Sequence, residues 1–132
     1  MKYMLDTNIC IYVMKNKPDT AVKRFIEHDP SEICVSSVTC AELLYGAEKS
    51  KAASRNLTAL SLFLSPITIL DFDSSAASAY GKLRADLEIK VTPIGSMDML
   101  IAGQAISKSL ILVTNNTKDF KRIEGLALEN WV

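Results

Sequence analysis

An α/β fold is what this sequence predicts: a parallel sheet of about four to five strands with helices on both faces, in a single domain over residues 1–132. Three observations predict it. Short apolar runs alternate with stretches of helical period along the whole chain, which is the pattern of successive βα units. The runs are uninterrupted, Tyr3-Met4-Leu5 and Leu110-Ile111-Leu112-Val113 most clearly, as expected of strands covered on both sides. A length of 132 residues, 48% of them hydrophobic, supports one core and leaves no room for a second.

Taken in order, Tyr3-Met4-Leu5 reads as a buried strand that stops at Asp6, and Asn8 to Met14 as a helix that Asp6, Thr7 or Asn8 can cap. Asp19 can cap a second helix whose Ala21, Val22, Phe25 and Ile26 fall on one stripe. Ile33-Cys34-Val35 is the second strand, ending at Ser36-Ser37, and Val38 to Glu48 returns to helical period. Arg55 to Leu64 continues as a helix with Leu57, Leu60, Phe63 and Leu64 inward, and Pro66 ends it. The β-branched run Ile67-Thr68-Ile69-Leu70 is the third strand. Ser74 or Ser75 caps a long helix with Ala76, Ala79, Tyr80, Leu83 and Leu87 on one face; a loop around Thr92-Pro93-Ile94-Gly95 follows. Met97 to Ser107 is helical, and Leu110–Val113 is the next strand. A short turn or helix near Asp119-Phe120 and a last strand near Leu126-Ala127-Leu128 complete the chain.

Composition narrows the function. No apolar run approaches the roughly 20 residues of a membrane span, and an acid at position 6 comes too early for a signal peptide, so a cytoplasmic protein is expected. Cys10, Cys34 and Cys40 form no CxxC pair and read as buried, reduced thiols. His28 lies beside Asp29-Pro30 in an expected surface turn, and no zinc spacing joins it to the cysteines. Net charge is zero, which argues against non-specific nucleic-acid binding through a basic surface but leaves room for a local basic rim.

The acids carry the chemistry. In open parallel sheets, ligands bind beyond the carboxyl ends of the strands. Asp6 ends the first strand, Glu42 lies just beyond the second, Asp119 lies beyond Leu110–Val113, and Asp98 opens the helix feeding that strand. Converging carboxylates repel one another. A hard divalent cation, Mg²⁺ or Mn²⁺, resolves the conflict, activates water and binds phosphate. Each acid also has a bland explanation. Asp6 can simply cap its helix, and Thr39-x-x-Glu42 fits a capping box. Asp98 can compensate a helix dipole, and Asp119, between Lys118 and Lys121, can be a solvated charge. Their joint placement at one edge favours a metal-assisted phosphodiesterase. A receiver domain matches in length and alternation, but Asp6 is followed by Thr7 rather than an acid, and no lysine directly follows Val113. Asn8 stands where a haloacid-dehalogenase phosphatase needs Asp, and no GK[ST] segment supports a P-loop enzyme.

Four segments resemble, in order, the motifs of PIN-domain ribonuclease toxins of the VapC family, from VapBC toxin–antitoxin modules. They are Tyr3-Met4-Leu5-Asp6-Thr7-Asn8-Ile9, Ser36 to Ala47 with Glu42 at its centre, Asp98-Met99-Leu100-Ile101-Ala102-Gly103, and Val113-Thr114-Asn115-Asn116-Thr117-Lys118-Asp119-Phe120. The resemblance covers essentially the whole chain. It implies Asp6, Glu42 and Asp98 as the acidic core, with Asp119 as the fourth position and Asn116 as the alternative. Thr7, Asn8 and Thr114 carry over as residues that orient the acids or a water. It further implies Mg²⁺ or Mn²⁺ dependence, a homodimer, and inhibition by a VapB-type antitoxin. The implied substrate is RNA, in similar toxins often a tRNA anticodon region; the tracts Glu42 to Ser50 and Asn115-Asn116-Thr117 look closest to initiator-tRNA cleavers. Ile11, Tyr12, Leu60 and Phe63 are candidates for the dimer face. Ile9, Tyr12, Val13, Leu43 and Leu44 either hold the antitoxin peptide or pack into the core. A PIN-like RNA-binding module without catalysis is the non-enzyme alternative.

Overall fold

A computed structural model of the chain describes residues 1–92 and 94–132. Five short strands, β1 (Tyr3–Leu5), β2 (Ile33–Ser36), β3 (Thr68–Leu70), β4 (Ile111–Val113) and β5 (Ala127–Glu129), form one sheet in the order β3-β2-β1-β4-β5. All four pairings are parallel. The helices among the described residues are α1 (Thr7–Met14), α2 (Asp19–Glu27), α3 (Ser37–Glu48), α4 (Ala53–Leu64), α5 (Ser74–Ile89), α6 (Ser96–Ser107) and α7 (Thr117–Phe120). None of them is long and apolar enough to cross a membrane.

Period-two alternation sorts the strand side chains between two cores. Tyr3, Leu5, Ile33, Val35 and Val113 face one way, onto Ile9, Val13, Ala21, Leu43 and Leu60 from α1 to α4. Met4, Cys34 and Leu112 face the other way, onto Leu83 and Leu87 of α5 and Met99, Ile101, Ala102 and Ala105 of α6. With helices on both sides the central strands carry no polar face, which is why their sequence reads as unbroken apolar runs. The strand β3 lies at the edge of the sheet and is largely exposed.

The strand order decides between rival architectures. From β1 the chain steps outward to β2 and β3, then crosses back to place β4 on the other side of β1. The direction of winding therefore reverses between β1 and β4, and a crevice opens beyond their carboxyl ends. A receiver domain has the order 2-1-3-4-5, so that alternative is excluded.

Several local expectations are corrected. Pro18, not Asp19, stands at the cap position of α2, and Asp19 is already inside the first turn. Ile26 on that helix is exposed rather than part of the buried stripe. Asp73, not Ser74 or Ser75, caps α5: its extended backbone lets Oδ1 accept from the Ala76 amide at 2.9 Å, while the serines are already helical. His28 is not in an open surface turn. Its ring stacks on Trp131, with centroids 5.0 Å apart, and tilts against Tyr3 at 4.5 Å. The loop expected at Thr92–Gly95 includes Pro93, which lies outside the described residues. The three cysteines are free and buried as expected, and burial pushes the Cys34 thiol up to about 12.

Candidate active site

Asp6 is the first residue past β1, at the point where the winding reverses. Its amide donates to the Val113 carbonyl at 3.0 Å, which carries the β1–β4 pairing one residue further. Its Oδ1 accepts from the Ile9 amide at 2.9 Å and so caps α1. The cap explanation is therefore correct but incomplete. Asp6 is only 5% exposed, and burial raises its pKa from the ordinary carboxylate value. A hydrogen bond from the Thr114 side chain and the Ile9 amide oppose that rise, and the charges of Asp98 and Glu42 add to it. A residue that served the helix alone would not sit within reach of two other acids.

Glu42 reaches the same place from α3. The expected Thr39 capping box does not form. Ser36 has the extended backbone a cap requires and its Oγ accepts from the Val38 amide at 3.0 Å, so Thr39 lies within the helix and is fully buried. Glu42 is thereby free of any capping role, and its Oε1 accepts from Thr7 Oγ1 at 2.6 Å. The hydroxyl next to Asp6 thus fixes the second acid, joining α1 to α3 at the mouth of the crevice.

Asp98 stands in the first turn of α6, half-buried. Burial raises its pKa, and the charges of Glu42 and Asp119 raise it further. Asp119, in α7, is held by Asn116, whose Nδ2 donates to Oδ2 at 3.2 Å; Arg122 lies 3.9 Å from the other oxygen. The loop after β4 organises this side. The buried Thr114 Oγ1 accepts the Asn116 amide at 2.9 Å, and Asn115 Nδ2 donates to the Tyr12 hydroxyl at 3.0 Å. Asp6, Glu42, Asp98 and Asp119 therefore sense one another's charge across one strand edge. Thr7, Thr114 and Asn116 each hold one of them. Asn8 is brought near but not into contact: it is exposed and makes no side-chain hydrogen bond among the described residues.

Sequence reasoning missed three supports. Tyr12 ties the loop after β4 to α1 across 103 positions of sequence. Gln104, fully buried, donates to the carbonyls of Leu70 and Asp71 at the end of β3, at 3.1 and 3.0 Å, which fixes α6 against the sheet. Gly103 lets α6 approach α5 so closely that a Cβ there would lie 2.9 Å from Tyr80 backbone atoms. Each depends on a distant partner that no local pattern announces.

The donor set suits a hard divalent cation. Its oxygens come from carboxylates, hydroxyls and an amide, and burial without a counter-charge is what raises Asp6 and Asp98. Among the described residues no three His, Cys, Asp or Glu side chains stand close enough together to hold an ion by themselves. Mg²⁺ does not require one, since it keeps several waters and takes one or two carboxylates plus substrate phosphate. From the Thr7–Glu42 pair a groove of about 360 Å³ runs between α1, α3 and α4, past Ile11, Gly46 and Asn56. Ile9 is sealed in the core and Val13 nearly so, whereas Leu43 and Leu60 pack into the core and turn their remaining surface to this groove.

Comparisons with known proteins give the family and the fold. The PIN domain family model matches residues 3–126. The chain is 49% identical to the tRNA(fMet)-specific endonuclease VapC of Shigella flexneri, over 99% of this chain and 98% of that one. It superimposes on a chain of DNA-bound VapBC from Salmonella typhimurium with a TM-score of 0.95 at 47% identity, covering 100% and 99% of the two chains. The VapBC2 structure from Rickettsia felis, bound to a fragment of its promoter DNA, gives 0.93 at 45% identity with both chains covered in full. This chain belongs to the PIN-domain family of nucleases, on its VapC ribonuclease branch.

Proposed function

We propose that this protein is the toxin of a VapBC-type pair, a cytoplasmic endoribonuclease that needs Mg²⁺ or Mn²⁺ and hydrolyses RNA, with the anticodon region of initiator tRNA as its target. One observation carries the metal-dependent reading. Four carboxylates meet at the switch point of a parallel sheet, and two of them are raised by burial and mutual repulsion with no basic side chain to relieve it. Asp6 and Asp98 are the residues to hold the metal, with Glu42 and Asp119 completing the acidic ring. The metal supplies an activated water and charge stabilisation at the phosphate. Thr7 keeps Glu42 turned into the site, Thr114 orients Asp6, and Asn116 orients Asp119. The tRNA target rests on the name of the Shigella flexneri relative.

The solved relatives are complexes with an antitoxin partner, and the same partner class is assigned here. A basic side chain of a VapB-type antitoxin placed among the four acids displaces the metal and gains charge-assisted hydrogen bonds. A homodimer completes the reading, with Ile11 and Tyr12 half-buried on α1 and available to it. The experiment is cleavage of total RNA with mapping of the cut sites, run with Mg²⁺, with Mn²⁺ and in excess EDTA. Cleavage confined to the metal-containing samples and focused on one tRNA loop is expected. Robust cleavage in EDTA by protein free of other nucleases would remove the metal mechanism.

A further inference from the structure

Beyond the acids, α3 carries a second feature that the metal chemistry does not use. Glu42, Tyr45 and Lys49 stand at i, i+3 and i+7 and so form one stripe of the helix. Tyr45 lies about 5 Å and Lys49 about 10 Å along the axis from Glu42. Tyr45 is 65% exposed, although tyrosine normally buries its ring, and Lys49 Nζ sits 4.9 Å from the ring centre. Lys51 follows on the turn and Arg55 in the first turn of α4, both exposed. None of these three cations makes a salt bridge among the described residues, so all three are available to a ligand. No acid occurs between Glu48 and Asp71, so a protein of zero net charge is locally basic beside its acidic site. The turn that carries the cations is held in shape: Ser50 Oγ donates to the Ala47 carbonyl at 2.6 Å, and Asn56 Nδ2 donates to Ser50 Oγ at 2.8 Å. Gly46, next to Tyr45, and Asn56 line the groove that ends at Glu42 and Thr7.

We propose that Tyr45, Lys49, Lys51 and Arg55 form the shelf that receives single-stranded RNA, Tyr45 stacking an unpaired base while the cations take phosphates and lead the strand to Glu42. The proposal rests on the ribonuclease reading and adds the residues that select an unpaired strand. An aromatic face stacks any base that is free of a partner, and it cannot reach one inside an A-form duplex. The ammonium lies over one face of the ring, so a base stacks on the other face and Lys49 is at hand for a neighbouring phosphate.

The test measures RNA binding in EDTA, so that no cleavage is needed, by fluorescence anisotropy. The probes are a fluorescein-labelled RNA hairpin with an unpaired loop and a fully paired duplex of the same stem. Tyr45→Ala is expected to weaken hairpin binding about 5- to 100-fold, the range of one lost stacking contact. Duplex binding should not change, and Tyr45→Phe should restore the hairpin. The combined Lys49→Ala, Lys51→Ala, Arg55→Ala variant is expected to lower the slope of log affinity against log salt by about 2. Because all four side chains are exposed, circular dichroism should show these variants folded. Hairpin binding by Tyr45→Ala equal to the parent, or an unchanged salt slope, would overturn the shelf. So would variants that bind RNA normally and lose only the antitoxin, which would make the surface a protein contact. A parent protein that shows the expected binding pattern but cleaves nothing with Mg²⁺ or Mn²⁺ refutes the ribonuclease reading and supports the shelf.

Discussion

Asp6 does two jobs with one carboxylate, and substitution can separate them. Asparagine caps a helix about as well as aspartate, so Asp6→Asn keeps the bond to the Ile9 amide and removes the charge. Activity is expected to fall by more than the 10- to 100-fold typical of losing a supporting group near a metal, with the circular dichroism spectrum unchanged. Thr7→Val, which frees Glu42, is expected to fall within about that 10- to 100-fold range. Asp6→Asn also makes a stability prediction of opposite sign. The folded-state pKa of Asp6 is raised above its ordinary value of 3.8, so the native state holds the proton more tightly than the unfolded chain does. Stability is then highest below that ordinary value and falls as pH rises towards the raised one. Asp6→Asn should therefore raise the melting temperature of metal-free protein at neutral pH and lose that advantage in acid. Mg²⁺ should raise the melting temperature of the parent more than that of the variant. At this scale Asp6, Glu42 and Asp119 were legible because each follows a strand, and Asp98 because it opens the helix that feeds β4; the switch point brings these places together. Asn8 makes no contact with the four acids, since sequence adjacency to Asp6 and Thr7 says nothing about which way a helical side chain points. The Thr39 capping box failed for a related reason: the pattern fits, but Ser36 three residues earlier has the backbone shape that a cap needs.

Helix packing shows how one residue type has opposite effects in neighbouring elements. In α6, Gly103 faces α5, and an added Cβ would meet the Tyr80 nitrogen and Cα at 2.9 Å. In α5, Gly81 has nothing within 4 Å of the same atom. Alanine favours a helix over glycine by about 1 kcal/mol, so Gly81→Ala is expected to stabilise by about 0.5–1 kcal/mol. Gly103→Ala is expected to destabilise by about 1–3 kcal/mol, because backbone cannot move aside as a flexible side chain can. Urea denaturation of the two variants checks both signs, and equal signs would contradict the packing account. Gly103→Ala should also reduce turnover, since α6 carries Asp98 and a shift of that helix moves an acid of the site. The strands and the helix order were readable from apolar period and breakers, because a doubly covered sheet imposes those patterns directly. The helix starts were less readable. Asp73 and Pro18 displaced the expected caps, as which of several polar residues caps is decided by backbone angles at the turn, not by residue type. The fit of Gly103 under Tyr80 had no local signal at all.

The whole molecule is neutral yet strongly divided, with acids gathered at the carboxyl edge of the sheet and an acid-free segment from Lys49 to Leu70 beside it. That division was invisible in the net charge and became visible once β1, β2 and β4 had brought their ends together. It also sets the terms on which an antitoxin and a metal compete. On the proposed function both bring positive charge to the same carboxylates, and each would then weaken the binding of the other by the same factor. A peptide that inserts an arginine among Asp6, Glu42, Asp98 and Asp119 is therefore expected to lose affinity as Mg²⁺ is raised. The same peptide with that arginine replaced by alanine should bind more weakly and respond little to Mg²⁺, because the groove past Ile11 and Gly46 that would hold the rest of it is lined mainly by apolar side chains. Titration calorimetry of both peptides across a range of Mg²⁺ concentrations measures the two slopes. If the arginine peptide binds equally well at every Mg²⁺ concentration and still inhibits, the restraint lies in blocking the path of RNA to the acids rather than in occupying them.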